Sequence, residues 1–144
     1  MKRTGTNVLT AEDYEALASF RFAVRRYLAF AEAGAKSVGL TSQQHQALLA
    51  IKAHAGRPPM SIGDLAAQLL LKHHSAVELV GRMEKAGFTK REMDEDDRRK
   101  VRVVLTREGE DVLAALSANN LKELRVIAPA FSGLLSRVAT LDTD

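Results

Sequence analysis

Between Leu71 and Ala86 the chain sets Lys72, His73, His74 and Ser75 at the start of a helix-forming run, with Val77 and Glu78 one turn on and Arg82 beyond them. Wound as a helix, Ala76, Leu79, Val80 and Met83 make one apolar stripe, and His74, Glu78, Arg82 and Lys85 take the opposite face. The outward set has the chemistry of base-edge recognition. Lys and His donate to guanine N7 or O6, Ser serves either edge, Val meets a thymine methyl and Glu accepts from cytosine N4. Arg82 stands further along, where a phosphate is the nearer partner. A solvated helix face has the same composition, so this stretch alone leaves both readings open.

The neighbouring segments narrow the choice. Ile62, Leu65, Ala66 and Leu69 form the stripe of a short helix, with Ser61 at its N-cap and Asp64 at the capping-box position. Gly87 closes the longer helix as a left-handed C-cap. Val101, Val103 and Leu105 then alternate with Arg102 and Val104, a strand whose partner is expected over Phe88 to Glu92. Met93 to Lys100 is too charged to bury and too long for a two-residue turn, so it reads as an exposed, flexible tip. Residues 89 to 102 hold six basic and five acidic side chains, so this ribbon is not a simple basic patch.

This order of elements resembles a MarR-type winged helix-turn-helix transcription regulator. The resemblance rests on Asp64-Leu65-Ala66, on Leu79-Val80-x-Arg82-Met83-Glu84-x-x-Gly87, on Asp96-Asp97-Arg98-Arg99 and on Leu105-Thr106-x-x-Gly109. It covers roughly residues 10 to 140. It implies a mainly α fold with a small β wing, divided as an N-terminal dimerisation helix over 10–38, a winged-helix DNA-binding region over 41–105 and C-terminal dimerisation helices over 106–144. It also implies a homodimer on a pseudo-palindromic operator, with repression as the expected direction. In the family a wing Asp orients an Arg that enters the minor groove, and Asp97 with Arg98 or Arg99 matches those positions. The expected DNA contacts are then Ser61, Lys72, His73, His74, Ser75, Val77, Glu78, Arg82, Arg91, Asp97, Arg98 and Arg99. Lys72 departs from the family pattern, which commonly has Ser or Thr there as cap and phosphate ligand, so Ser75 or water must take the capping role.

The flanks fit such an assembly. Thr10 with Asp13 opens a helix carrying Leu17, Phe20, Val24, Tyr27 and Ala31 at heptad-like spacing, with Gly34 and Gly39 read as its end. Thr41 to Gln44 is a second capping box, opening a helix to about Ala53, and Gly56 to Met60 is a break. Thr106 caps a last long helix with Leu113, Leu116, Asn120, Leu124, Ile127 and Phe131 in line, continued by Leu134, Leu135 and Val138. Pro129 predicts a kink or a break near Ala128. The expected dimer seam is Leu17, Phe20, Val24, Leu113, Leu116, Leu124, Ile127, Phe131 and Leu135, because one small domain does not easily bury two such stripes; the alternative is that the stripes pack on each other within one chain. The resemblance further implies a small aromatic or phenolic effector, with Tyr14, Phe20, Tyr27 and His45 as candidate lining.

Other classes find little support. The chain has 144 residues, which reads as one domain. It has no Cys, hence no disulfide, thiol chemistry or Cys-ligated metal. His73 and His74 point about 100° apart on a helix and do not chelate together; neither a metal nor a cofactor is expected. Consecutive carboxylates at Asp94 to Asp97 repel on a loop and make no catalytic dyad, and no nucleophile–base pair or phosphate loop is visible. No apolar run approaches the ~20 residues that span a bilayer, and no signal peptide is visible, so the expected location is cytoplasmic. The formal net charge of +3 permits an anionic partner without requiring one. The alternative class is a winged helix used for protein binding without specific DNA recognition.

Overall fold

A computed structural model describes residues 8–54, 58–94, 96–97 and 99–139. Five helices and a small sheet follow one another as α1 (Ala11–Ser37), α2 (Ser42–Ala53), β1 (Met60–Ser61), α3 (Ile62–Gln68), α4 (His73–Lys85), β2 (Thr89–Met93), β3 (Val101–Leu105) and α5 (Arg107–Ala139). The chain divides into two compact units, one of Met1–Phe30 with Asn120–Asp144 and one of Ala31–Asn119. The division falls inside α1 and α5, not at their ends.

In the second unit, local chemistry opens α2 and α3 and closes α1, α3 and α4. Thr41 and Ser61 each accept the N3 amide while the N3 side chain, Gln44 or Asp64, accepts the cap amide in return. Three helices end in the same way. The amides of Leu40, Leu71 and Phe88 reach back five residues to the carbonyls of Ala35, Ala66 and Met83, at 2.9, 2.8 and 3.0 Å. In each case the preceding residue is left-handed: Gly39 at φ 80°, Leu70 at φ 55° and Gly87 at φ 86°. This is the Schellman arrangement, and the apolar residue that follows it packs onto the core. Gly34, expected to help end α1, instead lies within it, with room for a Cβ 3.6 Å from Leu116.

The core of this unit is aliphatic. Leu48, Leu65, Val80, Met83 and Val103 are fully buried, and Ala35, Leu40, Ile51, Met60, Leu79, Leu113 and Leu116 join them. Leu113 and Leu116, expected on the dimer seam, are therefore covered within the chain's own core and are not free to face a second copy. The sheet has three strands, in the order β1-β3-β2, where a two-stranded ribbon was expected. Met60 pairs with Val103 and Ser61 with Arg102, so the segment entering α3 is hydrogen-bonded to the wing. On the other side Thr89 to Met93 pair with Leu105 to Val101.

Helix α5 is latched to the end of α4. Thr106 Oγ1 donates to the Gly87 carbonyl at 2.6 Å and accepts the Gly109 amide at 3.1 Å, while the Thr106 amide donates to the Phe88 carbonyl. A Cβ at position 109 would collide with that same Phe88 carbonyl, which gives the Leu-Thr-x-x-Gly spacing its physical reason. Downstream, α5 is one helix through Pro129, so of the kink or break expected near Ala128 the break does not occur. Proline removes one helical donor and crowds the carbonyl four residues back, but Ala128, Pro129 and Ala130 are all exposed and water can take up the freed carbonyl.

The first unit is built differently. Thr10 and Asp13 cap α1 reciprocally, with Oδ2 of Asp13 2.8 Å from the Thr10 amide. Phe20 and Phe131 meet edge to face at 5.4 Å, Arg137 reaches Glu12 at 3.0 Å, and Ala16 is buried. Around these contacts Leu17, Phe22, Leu28, Leu121, Val126, Leu135 and Val138 remain more than half exposed. Among the described residues no helix is long and apolar enough to cross a membrane.

Candidate nucleic-acid interface

Helix α4 lays Ala76, Leu79, Val80 and Met83 against the core and turns His74, Glu78, Arg82 and Lys85 outward, as the spacing requires. At its start Lys72 occupies the N-cap position with extended backbone and no side-chain cap hydrogen bond. Ser75, half-buried, supplies none either. The first amides of α4 are therefore left to outside acceptors, at the positive end of the helix dipole and beside the exposed Lys72, His73 and His74. Such an end suits a phosphate oxygen. Val77 is half-buried one turn on, and Glu78 and Arg82 are exposed, with no ion pair among the described residues. The turn before the helix holds Leu70, left-handed and 93% exposed.

Ser61 is held in its capping box, its Oγ accepting the Asp64 amide at 3.0 Å, which leaves the hydroxyl hydrogen free to donate. The hydrogen bonds from Ser61 hold the Asp64 carboxyl below the usual carboxylate range. Arg91, expected as a DNA contact, has its Nε 2.8 Å from Glu84, so its charge is already met by the end of α4.

At the wing, Asp97 Oδ1 accepts from the Arg99 amide at 3.1 Å and from Arg99 Nε at 3.3 Å. The Arg99 side chain is nonetheless 92% exposed. It is a guanidinium aimed by a carboxylate yet open to the surroundings. Arg98 lies outside the described residues. Behind the tip, Arg102 grips Asp94 through Nη2 at 2.7 Å and Nε at 3.0 Å. The Arg102 guanidinium is the main cause that holds the Asp94 carboxyl below its ordinary value. Sequence reading counted Asp94 only as one of the tip's solvated charges. The signal was a diagonal pair, since Arg102 faces Glu92 across the ladder and Asp94 lies two residues further on.

Of the candidate effector residues, His45 belongs to this unit, and Tyr14, Phe20 and Tyr27 to the other. His45 is buried, its Nε2 has no hydrogen-bond partner among the described residues, and burial lowers its pKa. Among the expected seam residues, Val24, Leu124, Ile127 and Phe131 are half-buried, and Leu17, Phe20 and Leu135 are exposed. Among the described residues no cluster of His, Cys, Asp or Glu is arranged to hold a metal ion.

Comparison with known proteins places this geometry. Residues 38–100 match the sequence model of the MarR family. The transcriptional activatory protein BadR of Rhodopseudomonas palustris is 38% identical over 79 residues, which is 55% of this chain and 45% of BadR's own length. Two solved structures share the fold across almost the whole chain. AbsC, a MarR family transcriptional regulator from Streptomyces coelicolor, superposes with a TM-score of 0.72 at 24% identity, covering 94% of each chain. MepR of Staphylococcus aureus in its DNA complex gives 0.67 at 17% identity, covering 93% of this chain and all of that one. With its capped α3, its outward-facing α4 and its three-stranded wing, the chain has the winged helix-turn-helix fold, and over residues 38–100 it is similar to the MarR family.

Proposed function

We propose that this protein regulates transcription as a homodimer that reads DNA with α4 and the wing. The observation that carries the reading is a pair of features on one unit: the uncapped, cationic start of α4, and a solvent-open Arg99 aimed by Asp97. The first suits a major groove, where a recognition helix enters by its N-terminal residues. The second suits a narrow, electronegative minor groove. The half-exposed apolar face of the first unit supports the dimer, because a second copy related by two-fold symmetry would cover it. Two reading helices then set half-sites about 10 bp apart, roughly 34 Å. BadR is named as activatory, whereas repression is the direction the family resemblance implies. The sign of control depends on where the operator lies relative to the promoter, so the proposal concerns binding alone. Release by a small aromatic or phenolic ligand belongs to the same proposal and is tested by titrating simple phenols into the assay below.

The test is selection of bound genomic fragments, followed by gel shifts over a salt series. Affinity for the selected site should fall steeply with salt, with a log–log slope of about −0.9 for each phosphate engaged. The wing's balanced charge also suits a protein-binding winged helix, and that reading predicts no enriched fragment and no steep salt dependence.

A further inference from the structure

We propose that Arg102 is a positioning residue for DNA reading, tying the wing tip to helix α3 through two carboxylates. This rests on the DNA-binding function proposed above. The guanidinium hydrogen-bonds one carboxylate and stands within ion-pair distance of a second. Nη2 and Nε converge on Oδ2 of Asp94, at 2.7 and 3.0 Å, while Nη1 stands 4.0 Å from Oδ2 of Asp64. Asp94 lies at the base of the tip. Asp64 is the capping-box residue of α3, and the same oxygen accepts the Ser61 amide at 3.2 Å.

The burial suits an internal role. The Arg102 side chain is only 14% exposed and that of Asp94 16%, against 92% for Arg99. Arg102 therefore has little surface to offer DNA. Its hold on Asp94 passes outward along the tip. Asp94 Oδ1 accepts the Asp96 amide at 2.9 Å, and the Asp94 amide donates to the Lys100 carbonyl at 3.0 Å. The Lys100 amide in turn donates to the Asp97 carbonyl at 2.9 Å, and the Asp97 side chain holds Arg99. Each link along the tip is a hydrogen bond a few residues from the next, and Arg102 faces Asp64 of α3 as an ion pair at 4.0 Å, so the place of Arg99 relative to α3 depends on the Arg102 grip. A planar fork can serve two carboxylates at once, and an ammonium cannot keep that geometry. The buried core at Val103 and Met60 does not use this network, so loosening it leaves the unit folded.

The experiment uses the full chain with Arg102→Met, Arg102→Lys, Asp94→Asn and the Arg102→Met/Asp94→Asn double variant. Affinity is measured for a selected operator and for a scrambled duplex, with a thermal melt of each variant. Operator affinity should fall roughly ten-fold in Arg102→Met and in Asp94→Asn, the scale of one good groove contact, while scrambled-duplex affinity changes less than about two-fold. Arg102→Lys should recover only part of the loss. The double variant should lose no more than either single one, since both break the same link. Equal weakening on both duplexes would mean that Arg102 supplies only charge, and unchanged operator affinity would mean that the wing does not depend on it. Either result overturns the proposal. So does tighter operator binding by Asp94→Asn, a near-isosteric change outside the hydrophobic core. If the unmodified protein shows no salt-dependent binding to any duplex, the underlying function has failed instead.

Discussion

The unit from Ala31 to Asn119 and the unit made by the two chain ends carry apolar side chains at the same three- and four-residue spacing, but only the first closes over them. Leu48, Leu65, Val80 and Met83 are sealed, whereas Leu17, Leu121 and Val126 are 56, 59 and 74% exposed. The difference comes from what lies across from each stripe. In the winged-helix unit a sheet, three tight helix ends and the first turns of α5 surround α2 to α4. In the other unit only parts of α1 and α5 are present, and two helices cannot cover each other's full circumference. Periodicity thus identifies the face to be buried without naming what buries it.

Core truncation should separate the two most sharply. Leu65→Ala should cost about 2–5 kcal/mol, the range for deleting a sealed leucine. Leu17→Ala should cost no more than about 0.5 kcal/mol in dilute protein, yet shift sedimentation towards the single chain. Denaturant melts at two protein concentrations check both. A large, concentration-independent loss in Leu17→Ala would mean that this face is closed within one chain.

His45 sharpens the comparison from inside the closed unit. Burial favours its neutral form and lowers its pKa below the ordinary 6.5. As pH falls through that ordinary value the unfolded chain takes up the proton first, so stability is lost on acidification and regained towards neutral pH. His45→Leu should flatten that slope and gain stability through removal of an unpartnered buried nitrogen. Melts from pH 8 to pH 5 would show it, and parallel curves for the two proteins would place the acid sensitivity elsewhere.

A small gain is expected on α4. Gly81 sits mid-helix with only Arg91 Nη2, 3.9 Å away, near its missing Cβ. Gly81→Ala should stabilise by about 0.5–1 kcal/mol through lost backbone entropy in the unfolded chain. A destabilised variant would show that α4 is held in a strained form.

Much of the winged-helix unit was legible because its signals are local. Thr41, Ser61 and Thr106 cap as read, and Gly39 and Gly87 end helices through their left-handed backbone. Leu70 adopts the same left-handed state without being glycine, so the third helix end carried no composition signal. Strand β1 is two residues long, too short for any alternation, and follows from its pairing with Val103 and Arg102. Leu113 and Leu116 share one stripe with Leu124 and Ile127, and periodicity cannot show that the first pair serves the chain's own core. At the site, the outward face of α4 follows from spacing and the Asp97–Arg99 pair from a motif. The Arg102–Asp94 grip depends on strand register, which no single stretch of sequence displays.

The most direct test of the account is the operator affinity of Asp97→Ala at two salt concentrations, with a scrambled duplex alongside. If Arg99 reads DNA because Asp97 aims it, the substitution should weaken operator binding by roughly 1 kcal/mol or more, the scale of one specific contact. It should do so although a negative charge near phosphate has been removed, and with scrambled-duplex affinity little changed. Charge alone predicts the opposite sign. Tighter operator binding by Asp97→Ala would show that the wing merely attracts DNA and would contradict the geometry assigned to it.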